Sequence, residues 1–132
     1  MDSDLVKKFL YEYDTDRVLE EIDKIEDEET LYDYISQYDW DDGFEIPYKV
    51  LRHKCCTLSI ALMMFYDGEG YLLFDDELEH GSEEYKFARK LNDMIISGTF
   101  RKGNTKYNIP LSKVQKYKYR KSGAAEIFLN DI

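Results

Sequence analysis

The chain has 132 residues, 43% of them hydrophobic and 15% aromatic, and a formal net charge of −10. That length makes a single domain, residues 1–132, which can bury a core without a disulfide or metal staple. The charge argues against nucleic acid as a ligand of the whole chain, because phosphates are repelled by an acidic surface. No apolar run is long enough to span a bilayer, and Met1-Asp2-Ser3-Asp4 does not read as a signal peptide.

In chain order the pattern is helical. Leu5, Val6, Phe9, Leu10 and Tyr13 recur at helical spacing, with Ser3 as the expected cap. A second helix follows from about Thr15, capped by Asp14, with Val18, Leu19, Ile22 and Ile25 as its stripe. A third begins near Asp27, whose carboxylate and Thr30 suit a helix start, and its stripe is Leu31, Tyr34, Ile35 and Tyr38. Trp40 to Gly43 breaks the pattern. Phe44, Pro47, Tyr48 and Leu51 open a fourth helix, predicted to end near His53-Lys54.

The next segment, Thr57 to Tyr66, is apolar almost all round. A helix without a polar face belongs in the middle of a domain. Asp67-Gly68-Glu69-Gly70 reads as a turn, and Tyr71 to Phe74 fits either a short strand or a helical turn. Ser82-Glu83-Glu84 starts a long helix with Tyr85, Ala88, Leu91, Met94 and Ile95 inward, ended by Gly98. Thr99 to Asn108 is polar and basic, and reads as a small hairpin or a mobile loop. Pro110-Leu111-Ser112 opens a last helix, broken by Ser122-Gly123, and Ala125 to Leu129 forms a final turn docked on the core. The expected fold is therefore all-α, with six or seven short helices around a central apolar one at about residues 57–66. Twelve tyrosines are expected at the core rim, where each ring is buried and each hydroxyl finds a partner or water.

Charge is unevenly spread. Residues 1–45 hold 17 acids and 4 bases, whereas residues 82–132 hold 5 acids and 11 bases. Either the basic third folds back onto the acidic half, or the acidic half is a docking face that steers a basic partner.

The segment around the single tryptophan is the candidate binding site: Tyr34, Tyr38, Asp39, Trp40, Asp41, Asp42, Phe44 and Glu45. Large rings interleaved with carboxylates cannot all be buried, so they must form a shaped, partly exposed turn. The competing structural account makes Asp41 or Asp42 a cap of the Phe44 helix. Asp39, Asp41, Gly43 and Glu45 imitate only the start of a calcium loop, which needs about twelve residues and a closing glutamate. His53, Cys55 and Cys56 lack the second ligand pair of a structural zinc site, and the two adjacent cysteines read as reduced thiols. The structural reading places His53 against the dipole at the end of the fourth helix. No metal and no cofactor is expected, and no catalytic residue is assigned.

The matching residues Trp40, Asp41, Asp42, Gly43, Phe44, Pro47, His53, Cys56, Ala61, Leu62 and Phe65 resemble an uncharacterised family of small bacterial domains of unknown function, the family numbered 4274. In that family a Trp-Asp/Asn-Asp-Gly-Phe turn precedes a proline, a His-Pro pair, a cysteine and an apolar Ala-Leu helix. Here Lys54 replaces the proline of the pair, and Thr57 stands where an aspartate follows the cysteine. The resemblance implies a small helical bacterial protein with no established activity.

The leading expectation is a cytoplasmic protein-binding module with no membrane segment. Its most concrete form is an immunity-like protein that meets a basic toxin domain with an acidic, aromatic face, because Tyr and Trp are favoured anchors. One alternative is an enzyme with a carboxylate site or a Cys56 site near the Trp40 turn. The other is a regulatory scaffold whose basic third, with Tyr107, Tyr117, Tyr119, Lys116 and Lys118, binds nucleic acid weakly.

Overall fold

The computed structural model describes all residues 1–132 and contains seven α-helices and no strands. They are α1 Ser3–Lys7, α2 Thr15–Glu21, α3 Glu28–Ser36, α4 Glu45–Leu51, α5 Leu58–Asp67, α6 Glu83–Ile96 and α7 Lys113–Lys121. The helices are short because polar caps interrupt the apolar periodicity every ten residues or so. Asp14 accepts from the Arg17 amide, Asp27 from the Thr30 amide, and Ser82 from the Tyr85 amide. Ser112 and Gln115 form a reciprocal capping box at the start of α7, satisfying two amides at once. At α1 the cap is Asp2, which accepts from the Leu5 amide, while Ser3 is already helical.

The helix α5 is the axis of the domain. Every residue from Ser59 to Tyr66 is buried, and α3, α6 and the short helical turn Gly70–Leu73 pack against it. Tyr71 to Phe74 thus resolves as helical. Phe128 closes the base of the core on the Phe65 ring, with centroids 4.8 Å apart. The α6 face that packs inward includes Phe87, Ala88, Leu91, Asn92 and Ile95; Tyr85 and Met94 are only half-buried. Of the twelve tyrosines, seven are half-buried and three fully buried, so most do sit at the core rim.

Residues 99–112 form neither a hairpin nor a loose loop. They run as an extended strap pinned across the start of α5. Leu58 donates to the Arg101 carbonyl at 2.9 Å, so the strap supplies the acceptor for the first amide of the central helix. The Ser59 hydroxyl donates to the Thr105 carbonyl at 2.7 Å. Glu28, at the first turn of α3, accepts from the Asn104 amide at 2.8 Å, the Thr105 amide at 3.1 Å, the Thr57 hydroxyl at 2.7 Å, and the Thr105 hydroxyl. Gly103 passes so close that a Cβ there would lie 2.4 Å from both Glu28 carboxylate oxygens. Tyr107 and Ile132 exchange two backbone hydrogen bonds at 2.8 and 3.0 Å, which ties the last residue to the strap.

The basic third does not neutralise the acidic half by ion pairing. The four bases beyond residue 82 that form ion pairs do so locally or with residue 75: Lys86 with Glu83, Arg89 with Asp93, Lys118 with Asp75, and Arg120 with Glu126. No ion pair joins a base of residues 82–132 to an acid of residues 1–45.

Candidate functional site

The Trp40 corner joins α3 to α4, and its shape follows from four local interactions. Asp39 accepts from the Asp41 amide at 3.0 Å. The Asp42 and Gly43 amides donate back to Asp39 and Trp40 carbonyls, at 3.0 and 3.3 Å. The Tyr38 hydroxyl donates to the Gly43 carbonyl at 2.6 Å. Gly43 has φ +94° and ψ −170°, a region essentially closed to other residues, so the turn requires its glycine. Asp39 is thus the capping aspartate. Neither Asp41 nor Asp42 caps α4, whose first turn has no side-chain cap.

The rings of this corner pack on one another and on α6. Trp40 meets Tyr38 edge-on at 5.5 Å and Phe87 at 5.7 Å, and Phe44 lies 5.1 Å from Phe87. The indole also rests on the end of α5, where a Cβ at Gly68 would come within 2.9 Å of its Cζ3. Trp40 is therefore a wedge that fixes the angle between α4, α5 and α6, with part of its surface left open.

The corner stands between two acidic clefts. One, of about 230 Å³, is lined by Tyr34, Tyr38, Asp39 and Asp42, together with Phe9, Tyr11, Tyr13, Asp14 and Ile46. The other, of about 200 Å³, is lined by Trp40, Asp41, Phe44, Asp67, Gly68, Glu69 and Glu84. Neither has a lysine or arginine in its wall. The structure thus brings seven of the eight candidate residues to these clefts, four to one and three to the other. Glu45 lines neither, being exposed at the first position of α4.

Tyr11, Tyr13 and Asp14 reach the first cleft because the end of α1 widens. Residues Lys8–Glu12 form one π-helical turn, closed by the Tyr13 amide on the Lys8 carbonyl at 2.8 Å. Such turns occur often at functional sites. Helical periodicity alone could not reveal this, since one inserted residue shifts the face each later side chain presents. Burial, reinforced by Asp42, Asp39 and Glu45, pushes the Tyr38 phenol up to about 12. Burial, then Tyr38 and Asp42, also raises Tyr34. Both hydroxyls therefore stay protonated at neutral pH.

His53 follows the C-cap of α4, where its amide donates to the Val50 carbonyl at 3.0 Å, but its ring turns away to the C-cap residue of α2. It is buried, its Nε2 donates to the Ile22 carbonyl at 3.0 Å, and its Nδ1 accepts from the Cys55 amide at 3.0 Å. Burial lowers its pKa, so the ring is the neutral Nε2–H form and joins α2 to the α4–α5 connection. Both nitrogens are engaged, and neither bonds the Cys56 thiol. Burial pushes that thiol up to about 12, far from the thiolate a nucleophile needs. A basic-walled cleft of about 430 Å³, with Arg52, Lys54 and Arg101, lies beside these residues. No group of three or more His, Cys, Asp or Glu side chains is placed to hold a metal ion.

What the fold and corner define is a small all-α domain whose aromatic wedge separates two acid-walled clefts, with no helix long and apolar enough to cross a membrane. Residues 26–96, more than half of the chain, match the family described as Domain of unknown function (DUF4274), and the protein belongs to that family. The matched span runs from the cap of α3 to the end of α6 and contains the whole Trp40 corner. No curated protein and no solved structure matches the chain.

Proposed function

We propose that this is a cytoplasmic bacterial protein-binding module, an immunity-like protein that neutralises a basic toxin domain through its acidic, aromatic face. The observation that carries the reading is the pair of acidic clefts flanking Trp40, neither with an internal counter-charge. Asp41 and Asp42 are exposed and enter no ion pair, while every basic residue of the C-terminal third is engaged elsewhere or solvated. Single-sign surfaces of this kind accelerate encounter with oppositely charged partners. Aromatic residues held rigidly in a corner supply contact area at low entropic cost.

The experiment is a titration of the purified protein against the product of the adjacent gene, at low and high salt. Binding that weakens as salt rises, and that fails in a Trp40→Ala, Asp42→Ala variant, supports the reading. Absence of binding at every salt concentration rejects it. A second reading, weak single-stranded nucleic-acid binding, rests on α7, where Tyr117 is 65% exposed beside Lys113, Lys116 and Lys121, which form no ion pair. A gel-shift with single-stranded RNA that vanishes in Lys116→Ala and Lys118→Ala variants supports it, and no shift in the parent protein rejects it.

A further inference from the structure

We infer that the cleft beneath Tyr34 is an anchor site for one arginine side chain of the partner, an assignment that rests on the protein-binding reading above. Three tyrosines of this protein are fully buried. The Tyr66 hydroxyl donates to the Phe128 carbonyl and the Tyr119 hydroxyl to Asp75. Tyr34 is 2% exposed and lines the cleft, and its hydroxyl makes no hydrogen bond within the protein. The one side-chain oxygen sealed from solvent without a hydrogen-bond partner is Asp75 Oδ1, so the Tyr34 hydroxyl keeps contact with solvent through the cleft it lines and is available to a ligand there.

The carboxylates around it are likewise under-used. Asp14 and Asp39 each give one oxygen to a helix-starting amide, at 2.8 and 3.0 Å, which leaves the other free. Asp42 gives neither. The electrostatic demand of the cleft is therefore for a cation, and the wall supplies none. At about 230 Å³ it falls below the roughly 300–1,000 Å³ of sites that hold whole small ligands, which suits one long side chain.

Guanidinium answers the site better than ammonium. It stacks on aromatic faces, forks onto carboxylates and sheds water more readily. The protein already shows this contact at the rim, where the Arg17 guanidinium lies 4.6 Å over the Tyr13 ring. Arg17 is held there by Glu21, at 3.1 Å, and is not part of the cleft wall.

The test is a heteronuclear NMR titration of the full chain with N-acetyl-arginine amide, using N-acetyl-norleucine amide as the neutral control. Saturable shifts at the Tyr34, Tyr38 and Asp42 amides are expected with the arginine compound alone. Affinity should fall about tenfold in Asp42→Asn, the scale of one charge-assisted hydrogen bond, and by less in Tyr34→Phe. Absence of saturation, equal shifts from norleucine, or unchanged affinity in Asp42→Asn each overturns the site. Tight binding of the protein partner that survives both substitutions overturns the anchor while sparing the partner reading. Arginine-amide binding without any protein partner keeps the guanidinium site and overturns its use as an anchor.

Discussion

Glu28 and Asp42 are carboxylates of the same acidic half, only a helix apart, and they are used in opposite ways. Glu28 accepts four hydrogen bonds from three residues of two separate segments. Burial alone would raise its pKa, yet the bonds from Thr105, Asn104 and Thr57 outweigh that and hold it at about 2. Asp42 is exposed and accepts nothing. The contrast separates structural acids from available ones within a charge run that looks uniform. Glu28 is spent on holding the strap, while the acids of the Trp40 corner remain free for a partner.

The largest effect that would break this comparison comes from removing the latch. Glu28→Ala strands the Thr57 hydroxyl, which is fully buried, and two strap amides. The loss should be about 3 kcal/mol, since each unsatisfied buried group costs about 1–3 kcal/mol. A urea midpoint that stays put in Glu28→Ala would show the latch to be ornamental. Gly103→Val should be comparably damaging, because its Cβ would fall on the Glu28 oxygens and on Thr57 Cγ2, at 2.4 and 2.5 Å.

Trp40→Ala comes next. The indole is only half-buried, so the cost should be about 2 kcal/mol, below the 3–5 kcal/mol range of a fully buried aromatic. Gly68→Ala attacks the same contact from the other side. Its Cβ would press on the Trp40 ring and on the Met64 carbonyl, at 2.9 and 3.0 Å, and backbone cannot give way as a flexible side chain does. About 1–2 kcal/mol should be lost on thermal unfolding.

Acid titration sharpens the comparison by its windows. A carboxylate with a depressed folded pKa stabilises the fold above its unfolded value and loses that contribution as pH falls through the folded one. For Glu28 the loss should run from about 4.5 down to about 2, and Glu28→Gln should flatten that part of the profile. His53 acts in a higher window. Its folded pKa is lowered by burial from an ordinary 6.5, so the unfolded chain binds the extra proton. Stability should be complete above 6.5 and decline as pH drops below it. Asp39→Asn, Asp41→Asn, Asp42→Asn should leave the urea midpoint within about 0.5 kcal/mol, because asparagine caps as well as aspartate. The same substitutions should abolish partner binding.

Much of this was legible in the sequence. The central helix announced itself by lacking a polar face, Asp14 caps as the local pattern placed it, and the helices read as starting at Asp27, Ser82 and Ser112 do start there. The aromatic-acidic corner was legible as a unit too, since rings and carboxylates so interleaved must form a shaped turn. What stayed hidden depends on contacts distant along the chain. Nothing near Thr99 to Asn108 says that Glu28, some 76 residues away, will pin it, so hairpin and loose loop were the natural local readings. Asp39 caps the Trp40–Asp42 turn and no aspartate caps α4, an outcome that three aspartates in four residues leave open. His53 looked like a helix-end cation because its partner, the Ile22 carbonyl, lies 31 residues back. The place of Tyr11, Tyr13 and Asp14 in the first cleft follows from the π turn at Lys8–Glu12, a one-residue irregularity with no compositional mark.

The smallest effect is the most discriminating, and it concerns the buried tyrosines. Tyr66→Phe deletes a hydroxyl that donates to the Phe128 carbonyl, leaving a buried acceptor unmatched. It should lose about 1–1.5 kcal/mol. Tyr34→Phe deletes a hydroxyl that bonds nothing in the protein and keeps the ring, including its edge-on contact with Phe9 at 5.2 Å. Stability should therefore hold within about 0.5 kcal/mol or improve slightly, because a poorly solvated polar group is removed. Equal losses in the two variants would mean that Tyr34 has an internal partner in solution, and the cleft would then have no unmet donor to offer. A neutral Tyr34→Phe that nonetheless weakens partner binding would separate recognition from folding at a single oxygen atom.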